Sequence, residues 1–585
     1  MIAIKNNRRK KENPENNNFR INILFAIIIF IIVATVVRLF DLQILKNGYY
    51  TALASGQHNI FENLVPERGQ IYVEDKFSKD LYPLAINKKM NLVYAVPKKI
   101  EDPKNTAKEL APILEIEEEE LYKKLSPEED LYEPLKHKLE DEQVEEIKNK
   151  DLKGIYFQPE SLRYYPDHSL ASHLLGFVGF VDNDKRGLYG VEGYYNDILT
   201  GREGYLETEK DALGRLVSVG NKFLEEAEDG SDLVLTIDRL IQFKVEKYLK
   251  EGIKEFGAES GSITIVDPQT GEIIAMATYP DFDPNNYSEV ENVDVFTNSV
   301  IYDLYEPGSV FKPIIVASAM NANLVSPGTV FQDSGSIKVD EFTIRNFDGG
   351  ANGSVTVTSI LENSINVGMV QIAQLLGDDR TFSYMNQFGF TDMSGIDLDV
   401  EASTSIKSPN KWADSDLATA SFGQGFSITP LRLITAYTAI ANDGKLMQPY
   451  IVKKIIKADG SEEVIEPNEV REVLSPGVAG TLSAMLTSVI ENGQAGVARV
   501  PGYKIAGKSG TAQVPNKDKV GYDPNKRIAS FIGFGPIDNP KFLMLVKLDN
   551  PKGEVWGATT AGVIFGRIAR ELFQYYQIPP TEIID

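Results

Sequence analysis

The stretch YEPGSVFKP, residues 305–313, places a serine and a lysine three positions apart, directly after a proline–glycine pair. If a helix begins at Ser309, Lys312 lies beside it on the same helix face. Pro313 agrees with such a start, because proline is tolerated in the first turn of a helix. The pattern fits two structures: a serine that caps its helix near a solvated lysine, or a serine nucleophile with Lys312 as its base.

Missing residue types narrow the choice of base. The chain has no cysteine, which excludes thiol nucleophiles, disulfides and thiolate metal sites. No histidine follows residue 173, so the chain after that point cannot supply the histidine of a Ser-His-Asp triad or of a zinc site. A serine nucleophile there needs another base, for which lysine is the usual substitute. We expect neither a metal nor a cofactor.

The start of a helix would suit a nucleophile physically. The positive end of the helix dipole stabilises a developing alkoxide or oxyanion. A lysine that is partly removed from water at the same place has its pKa lowered towards the range of a useful base. The spacing alone is nevertheless weak, because Ser408 and Lys411 repeat it by chance in a loop-like stretch.

Two later stretches contain polar groups that suit the same site. In LENSINVGMVQ, Ser364 and Asn366 are two positions apart and do not share a helix face, so a loop between helices is needed to aim both into one site. In GYKIAGKSGTAQV, glycines interrupt a strand, which often marks close approach by another backbone or by a ligand. This strand contains the only Lys-[Ser/Thr]-Gly sequence of the chain, within Lys508, Ser509, Gly510 and Thr511.

We call Ser309-x-x-Lys312 the first box, Ser364-x-Asn366 the second and Lys508-Ser509-Gly510 the third. In this order, the three boxes resemble those of the penicillin-recognising serine acyltransferases, which include the penicillin-binding proteins and the serine β-lactamases. Other stretches are similar to the class B penicillin-binding proteins. Among them are RGQIY from residue 68, GLYGVEGYYNDILTGREGY from residue 187 and ASFGQGFSITPLRLITAYTAIANDG from residue 420. The stretch from residue 187 and the residues after Lys508 look closer to the division-type (septal) members.

The resemblance implies a role for each residue of the boxes. Ser309 attacks the carbonyl of the penultimate D-alanine of a peptidoglycan stem peptide, and Lys312 accepts its proton. Ser364, linked to Lys508, relays a proton to the departing amine. Backbone N–H groups of Ser309 and Thr511 form the oxyanion hole. The residues implied to hold the substrate are Asn366, Ser509, Gly510 and Thr511.

An apolar run near the N-terminus predicts a membrane anchor. Residues 21–37 read INILFAIIIFIIVATVV and contain no charged side chain. As a helix this run measures about 25 Å, near the lower limit for crossing a bilayer. The charged residues before it are six basic and two acidic, so the positive-inside rule places the N-terminus in the cytoplasm and the bulk of the chain outside the membrane. A cleaved signal peptide is the alternative, but the run is longer than a typical signal segment.

The remaining sequence suggests two exported domains. We predict a cytoplasmic tail (1–20), a transmembrane anchor (21–38), an elongated β-rich pedestal or dimerisation domain (39–228) and a transpeptidase domain (229–578). GSITIVDPQTGEIIAMATYP reads as a β-hairpin around a polar turn. With further strand-like stretches near the C-terminus and helices between, the last segment indicates an α+β fold, an antiparallel sheet flanked by helices.

The predicted function is a membrane-anchored peptidoglycan D,D-transpeptidase that cross-links stem peptides through a serine acyl-enzyme and is acylated by β-lactams. The resemblance implies septal cell-wall synthesis, with a SEDS-type membrane glycan polymerase and other divisome proteins as partners. A nucleic-acid partner is disfavoured by the formal net charge of −24. Two alternatives stay open: a D,D-carboxypeptidase or β-lactamase of the same superfamily, and a non-catalytic β-lactam sensor or scaffold.

Overall fold

A computed structural model describes residues 15–40, 59–127, 131–181, 184–209, 223–404, 406–516 and 521–581. The contacts within the chain define two compact units. One comprises Met1–Pro66 and Arg202–Glu228, and the other comprises Glu67–Gly201 and Asp229–Asp585. Most of the predicted cytoplasmic tail lies outside the described residues, and the predicted domain boundaries stay predictions.

The described residues of the first unit form one helix and one small sheet. The helix spans Glu15–Phe40 and includes the run predicted to be the anchor. Among the helices formed by described residues, none combines the length and the apolar character that a membrane crossing requires. The sheet is antiparallel and has three strands, in the order Asn59–Leu64, Gly204–Glu209 and Phe223–Glu225.

In the second unit, a mixed sheet joins segments that are far apart in the sequence. Asp232–Leu235 lies between Ile71–Glu74, to which it is parallel, and Val452–Ile456, to which it is antiparallel. The sequence gives no local signal for this pairing, because the hydrogen-bonded strands belong to three distant stretches. The seven strands run in the order Glu462–Val464, Val452–Ile456, Asp232–Leu235, Ile71–Glu74, Leu81–Ala95 and Glu133–Leu139, with Ile155–Tyr164 also paired to Leu81–Ala95.

The highly charged stretch around residues 100–153 forms amphipathic helices over a small core of its own. Leu110, Leu121 and Val144 are buried in this core, while the acidic and basic side chains of the same helices face solvent. The charge therefore belongs to solvated helix faces, as such runs usually do. The helices are Pro103–Leu114, Glu118–Leu125 and Asp141–Asn149.

A second sheet, antiparallel and five-stranded, lies at the centre of residues 229–581. Its strands are β1 (Ser260–Val266), β2 (Ile273–Tyr279), β3 (Ala506–Pro515), β4 (Tyr522–Gly535) and β5 (Phe542–Asp549). The spatial order is β2-β1-β5-β4-β3, so β3 lies at an edge of the sheet. The predicted hairpin is confirmed as the antiparallel pair β1–β2.

Helices surround this sheet, which confirms the predicted α+β architecture of the segment. The helices Arg239–Phe256 and Ala561–Tyr575 pack against the sheet and against each other. The helix Lys312–Asn321 is buried from Lys312 to Met320, which agrees with its largely apolar sequence. The main helices are α1 (Arg239–Phe256), α2 (Lys312–Asn321), α3 (Asn366–Leu376), α4 (Pro430–Ala441), α5 (Pro476–Glu491) and α6 (Ala561–Tyr575).

Candidate active site

Ser309 lies on a tight turn that leads directly into α2. A 3-10 turn spans Gly308–Phe311, and the α-helix begins at Lys312 rather than at the serine. Neither the turn nor the helix has a side-chain cap, so the capping interpretation of Ser309 has no hydrogen bond behind it. Ser309 is partly exposed while the residues on both sides of it are buried. Ser309 is therefore the accessible residue of an otherwise buried turn.

Glycines allow three backbone segments to meet at this turn. Gly308 has a φ of 64°, and its N–H donates to the carbonyl of Gly423 over 2.9 Å. A methyl group on Gly423 would lie 2.2 Å from the oxygen of Gly308. A methyl group on Gly510 would lie 2.6 Å from Oγ of Ser530 and 3.0 Å from Val310. Strand β3 thus lies directly against the serine turn, the close approach that its glycines predict.

Lys312 points away from solvent and into the second box. Its side chain is fully buried, and Nζ donates to the carbonyl of Ser364 (2.5 Å), to Oγ of Ser364 (3.1 Å) and to Oδ1 of Asn366 (2.8 Å). Burial, reinforced by the charge of Lys508, holds the pKa of Lys312 well below its usual range. This shift favours the neutral amine that a base requires.

Ser364 lies on a loop between two helices, as its spacing from Asn366 predicts. The helix Val357–Glu362 ends before it, and α3 begins at Asn366. Ser364 has a φ of 55°, a left-handed conformation that is costly for a residue other than glycine. This conformation belongs to the residue whose carbonyl and hydroxyl both face Lys312, so the strain lies at the site itself.

Lys508 reaches the same hydroxyl from β3. Its side chain is 2% exposed, and Nζ donates to Oγ of Ser364 over 3.2 Å and to the carbonyl of Ser509 over 3.2 Å. Burial lowers the pKa of Lys508 to about 8. The side chain is thus mostly cationic at neutral pH, whereas Lys312 is driven towards its neutral form.

The rest of the third box lines the partly exposed side of β3. Ser509 and Thr511 alternate with buried neighbours along the strand. The hydroxyl of Thr511 accepts the N–H of Gly557 over 2.9 Å, which ties the strand to the loop after β5. In that loop Trp556 packs edge-on against Phe347, with ring centroids 4.1 Å apart.

Several supporting residues could not be found from the sequence pattern. Glu306, 7% exposed, accepts the N–H of Gly425 (3.1 Å) and the hydroxyl of Tyr522 (3.0 Å). It therefore connects the serine turn to a glycine-rich loop and to the start of β4. The buried Tyr437 donates to the carbonyl of Val310 within the same turn. No spacing rule relates these residues, because their partners lie more than a hundred positions away.

The chance repeat of the first box has none of these features. Ser408 and Lys411 are both exposed, on a short turn over Pro409–Lys411. Among the described residues no second box accompanies them, so Lys411 provides a matched control for Lys312.

The assembled groups suit proton transfer at a serine hydroxyl. Oγ of Ser364 accepts hydrogen bonds from two lysines, which leaves its own proton free to be donated outward. A depressed lysine pKa beside a partly exposed serine is the arrangement expected of an activated nucleophile and its base. Hydroxyls on β3 and backbone N–H groups at the serine turn can hold an anionic substrate group next to it.

Comparison with known proteins supports the same chemistry. Residues 261–572 match the family model of the penicillin-binding protein transpeptidase domain, and residues 63–235 match that of the penicillin-binding protein dimerisation domain. Stage V sporulation protein D of Bacillus subtilis is 34% identical over 566 residues, which cover 96% of this chain and 86% of the relative.

Two further relatives agree. The peptidoglycan D,D-transpeptidase FtsI of Escherichia coli is 30% identical over 86% of this chain and 83% of its own length. The crystal structure of penicillin-binding protein 3 from Mycobacterium tuberculosis with aztreonam aligns with a TM-score of 0.68 and 26% identity, over 89% of this chain and 99% of that one. Together with the residues gathered around Ser309, these matches establish that the chain belongs to the class B penicillin-binding proteins.

Proposed function

We propose that this protein is a peptidoglycan D,D-transpeptidase that works through a serine acyl-enzyme and is acylated by β-lactams. The observation that carries the proposal is the convergence of Lys312 and Lys508 on Oγ of Ser364, next to the turn that presents Ser309. Membership of the family supports the same reaction, and the E. coli relative is named for it.

In the first half-reaction, neutral Lys312 takes the proton of the Ser309 hydroxyl as Oγ attacks the carbonyl of the penultimate D-alanine. The amide bond to the terminal D-alanine then breaks. Its nitrogen receives a proton from Ser364, whose hydroxyl is reprotonated by Lys312, the lysine that took the proton of Ser309. The products are an ester on Ser309 and free D-alanine, and the base is neutral again.

In the second half-reaction, the amine of a neighbouring stem peptide attacks the ester. The amine proton passes to Lys312, which returns a proton to Oγ of Ser309 as the ester bond breaks, and a new amide bond cross-links the two peptides. Backbone N–H groups of Ser309 and Thr511 stabilise the oxyanion in both steps; one such donor typically contributes about 10²–10³ in rate. Ser509 and Thr511 hold the terminal carboxylate of the donor, with Asn366 on its amide and Lys508 supplying positive charge.

We also propose that the N-terminal helix anchors the protein in the cell membrane as a single pass, with the N-terminus in the cytoplasm. The support is the uncharged run of residues 21–37 behind a basic stretch. The side chains described in this helix, Ile23 to Leu39, are exposed and almost all apolar. Water is a poor environment for so continuous an apolar surface.

The proposed cellular role is septal wall synthesis, with a SEDS-type glycan polymerase and divisome proteins as partners. The resemblance to division-type members supports it, as does the match to a protein named FtsI. A sporulation role is the second candidate, because stage V sporulation protein D matches 96% of the chain. Depletion separates the two: filamentous cells support the septal role, whereas normal division with defective spores supports the second.

The reaction is tested with fluorescent penicillin and with defined stem peptides. Wild-type membranes should become labelled at Ser309, and Ser309→Ala should not be labelled at all. Incubation with donor and acceptor peptides should give cross-linked dimers. Release of D-alanine without dimers would instead indicate a carboxypeptidase, and absence of both reactions would indicate a non-catalytic scaffold.

A further inference from the structure

Asp333 is a buried carboxylate that lies outside the three boxes. It is 3% exposed and accepts hydrogen bonds from Nδ2 of Asn346 (2.8 Å to each oxygen), from the N–H (3.0 Å) and Nδ2 (2.6 Å) of Asn352, and from the N–H of Gly335 (2.9 Å). All of these partners are N–H donors, so the cluster is built around an anion and offers nothing to a cation. Burial alone would raise the pKa of Asp333, yet these hydrogen bonds hold it below its usual value.

The carboxylate fixes which way the amide of Asn346 points. Nδ2 of Asn346 faces Asp333, so its oxygen Oδ1 faces the opposite way and accepts the N–H of Val367 over 3.1 Å. Val367 is the second residue of α3, where backbone N–H groups have no partner within the helix. Asn346 itself is 6% exposed, so water cannot readily replace it at this N–H. A side chain 21 positions before Val367 thus satisfies the start of α3.

Arg345, the residue before Asn346, fixes the amide of Asn366. Nδ2 of Asn366 donates to the carbonyl of Arg345 over 3.0 Å, next to Asn346 in the chain. The oxygen of Asn366 is therefore turned towards Nζ of Lys312, at 2.8 Å. The Arg345 carbonyl and Lys312 therefore fix the same orientation of this amide, since Nδ2 can only donate and Oδ1 can only accept.

We propose that Asp333 and Asn346 are positioning residues for acyl transfer: they hold the start of α3, and through Asn366 they set the orientation of Lys312 beside Ser309. The inference rests on the proposed function of Ser309 and Lys312. Asp333 and Asn346 touch no substrate. Their effect is to keep one acceptor aimed at the base, and a displacement of about 1 Å in such groups can cost about 10²-fold in rate.

The test measures the second-order rate constant of acylation by fluorescent penicillin in the full-length protein. Asn346→Ala and Asp333→Asn should each lower it about 10–100-fold while Ser309 remains the labelled residue. The matched control is Asp397→Asn. Asp397 is also a buried carboxylate, 8% exposed, and accepts from Ile451, Val452 and Tyr195, none of which touches the site. The Asp397→Asn substitution should lower the melting temperature and leave the acylation rate constant within about twofold of the wild-type value.

A double-variant cycle distinguishes positioning from general weakening of the fold. Asn366→Ala removes the group through which Asn346 is proposed to act. Adding Asn346→Ala to it should therefore cause little further loss of acylation, whereas independent effects would multiply. Three results would overturn this inference but leave the proposed function intact. They are multiplying effects of the two substitutions on the acylation rate, unchanged acylation in a folded Asn346→Ala protein, and equal slowing of acylation by Asp397→Asn. Failure of the wild type to label at Ser309 would overturn the proposed function and this inference with it.

Discussion

Lys312 and Lys508 donate hydrogen bonds to one and the same atom, Oγ of Ser364, over 3.1 and 3.2 Å. Two lysines this close cannot both keep a full charge in a buried place without cost, and the pKa of each is lowered. The difference between their pKa values gives the two lysines different roles. The more strongly shifted Lys312 is available as a base, and Lys508 keeps a proton and a positive charge.

Removal of the base should stop acylation. Lys312→Ala is expected to reduce the rate of labelling by fluorescent penicillin by about 10²–10⁴-fold or more, because a positioned base typically contributes that much. Labelling is followed on gels over time, with the melting temperature as a check of folding. Lys411→Ala, at the exposed chance repeat, should label like the wild type. Equal loss in both variants would contradict the assignment of the base.

The rate of acylation should depend on pH with two limbs. It rises as Lys312 loses its proton, since only the neutral amine can accept one from Ser309. It falls again above about pH 8, because the pKa of Lys508 is about 8 and its positive charge is lost there. Stopped-flow acylation across pH 5–10 measures both limbs. In Lys508→Arg the cation persists, so the descending limb near pH 8 should disappear; its survival would show that another group causes it.

The glycine of the third box should tolerate no side chain. Gly510→Ala places a methyl group 2.6 Å from Oγ of Ser530 and 3.0 Å from Val310, so β3 must move away from the serine turn. We expect acylation to fall by at least about tenfold, since the oxyanion donors lie on these two elements. Gly477→Ala is the control: it lies in α5, where an added methyl group meets no atom within 4 Å. Normal acylation by Gly510→Ala would mean that the strand has room to shift.

A buried ion cluster in the second unit should be important for stability rather than for chemistry. Glu192, fully buried, accepts from Arg68 (2.6 Å) and from Arg163 (2.5 Å). Glu192→Gln leaves two arginines without their charge partner and should cost about 3–5 kcal/mol of unfolding free energy. Urea unfolding monitored by circular dichroism measures it, with the exposed Glu118→Gln as a control expected within about 0.5 kcal/mol.

The same cluster should make stability sensitive to acid. Burial by itself would raise the pKa of Glu192, but Arg163 and Arg68 pull it below its usual value. Such a group contributes stability above its unfolded pKa, and this contribution is lost as pH falls through the folded value. The difference in unfolding free energy between the wild type and Glu192→Gln should therefore become smaller in acid. A gap that stays constant down to low pH would contradict the ion-pair explanation.

Residues that act locally were the ones that sequence reasoning could identify. The serine turn, the loop at Ser364 and the strand at Lys508 were predictable because proline, glycine and side-chain spacing constrain the backbone within a few residues. Even there, the α-helix starts at Lys312 because a 3-10 turn comes first. The distinction between a 3-10 and an α turn depends on packing that a short pattern does not contain.

Residues that act over long distances were not predictable. Glu306 is three positions before Ser309, yet its role depends on Tyr522, which is 216 positions away. Asp333 and Asn346 have no recognisable spacing to Lys312, because their connection runs through backbone groups of Arg345 and Val367 that any residue provides. The mixed sheet was not predictable for the same reason: its strands carry no sequence signal that identifies their distant partners.

That mixed sheet has a practical consequence for dissecting the protein. Asp232–Leu235 is hydrogen-bonded on one side to Ile71–Glu74 and on the other to Val452–Ile456. A fragment that starts at residue 229 would leave one side of this strand bare, and a bare, apolar strand edge recruits other chains. Excision of the catalytic segment at that point should therefore yield aggregates, whereas a version that retains residues 67–201 keeps the edge covered and should remain dispersed.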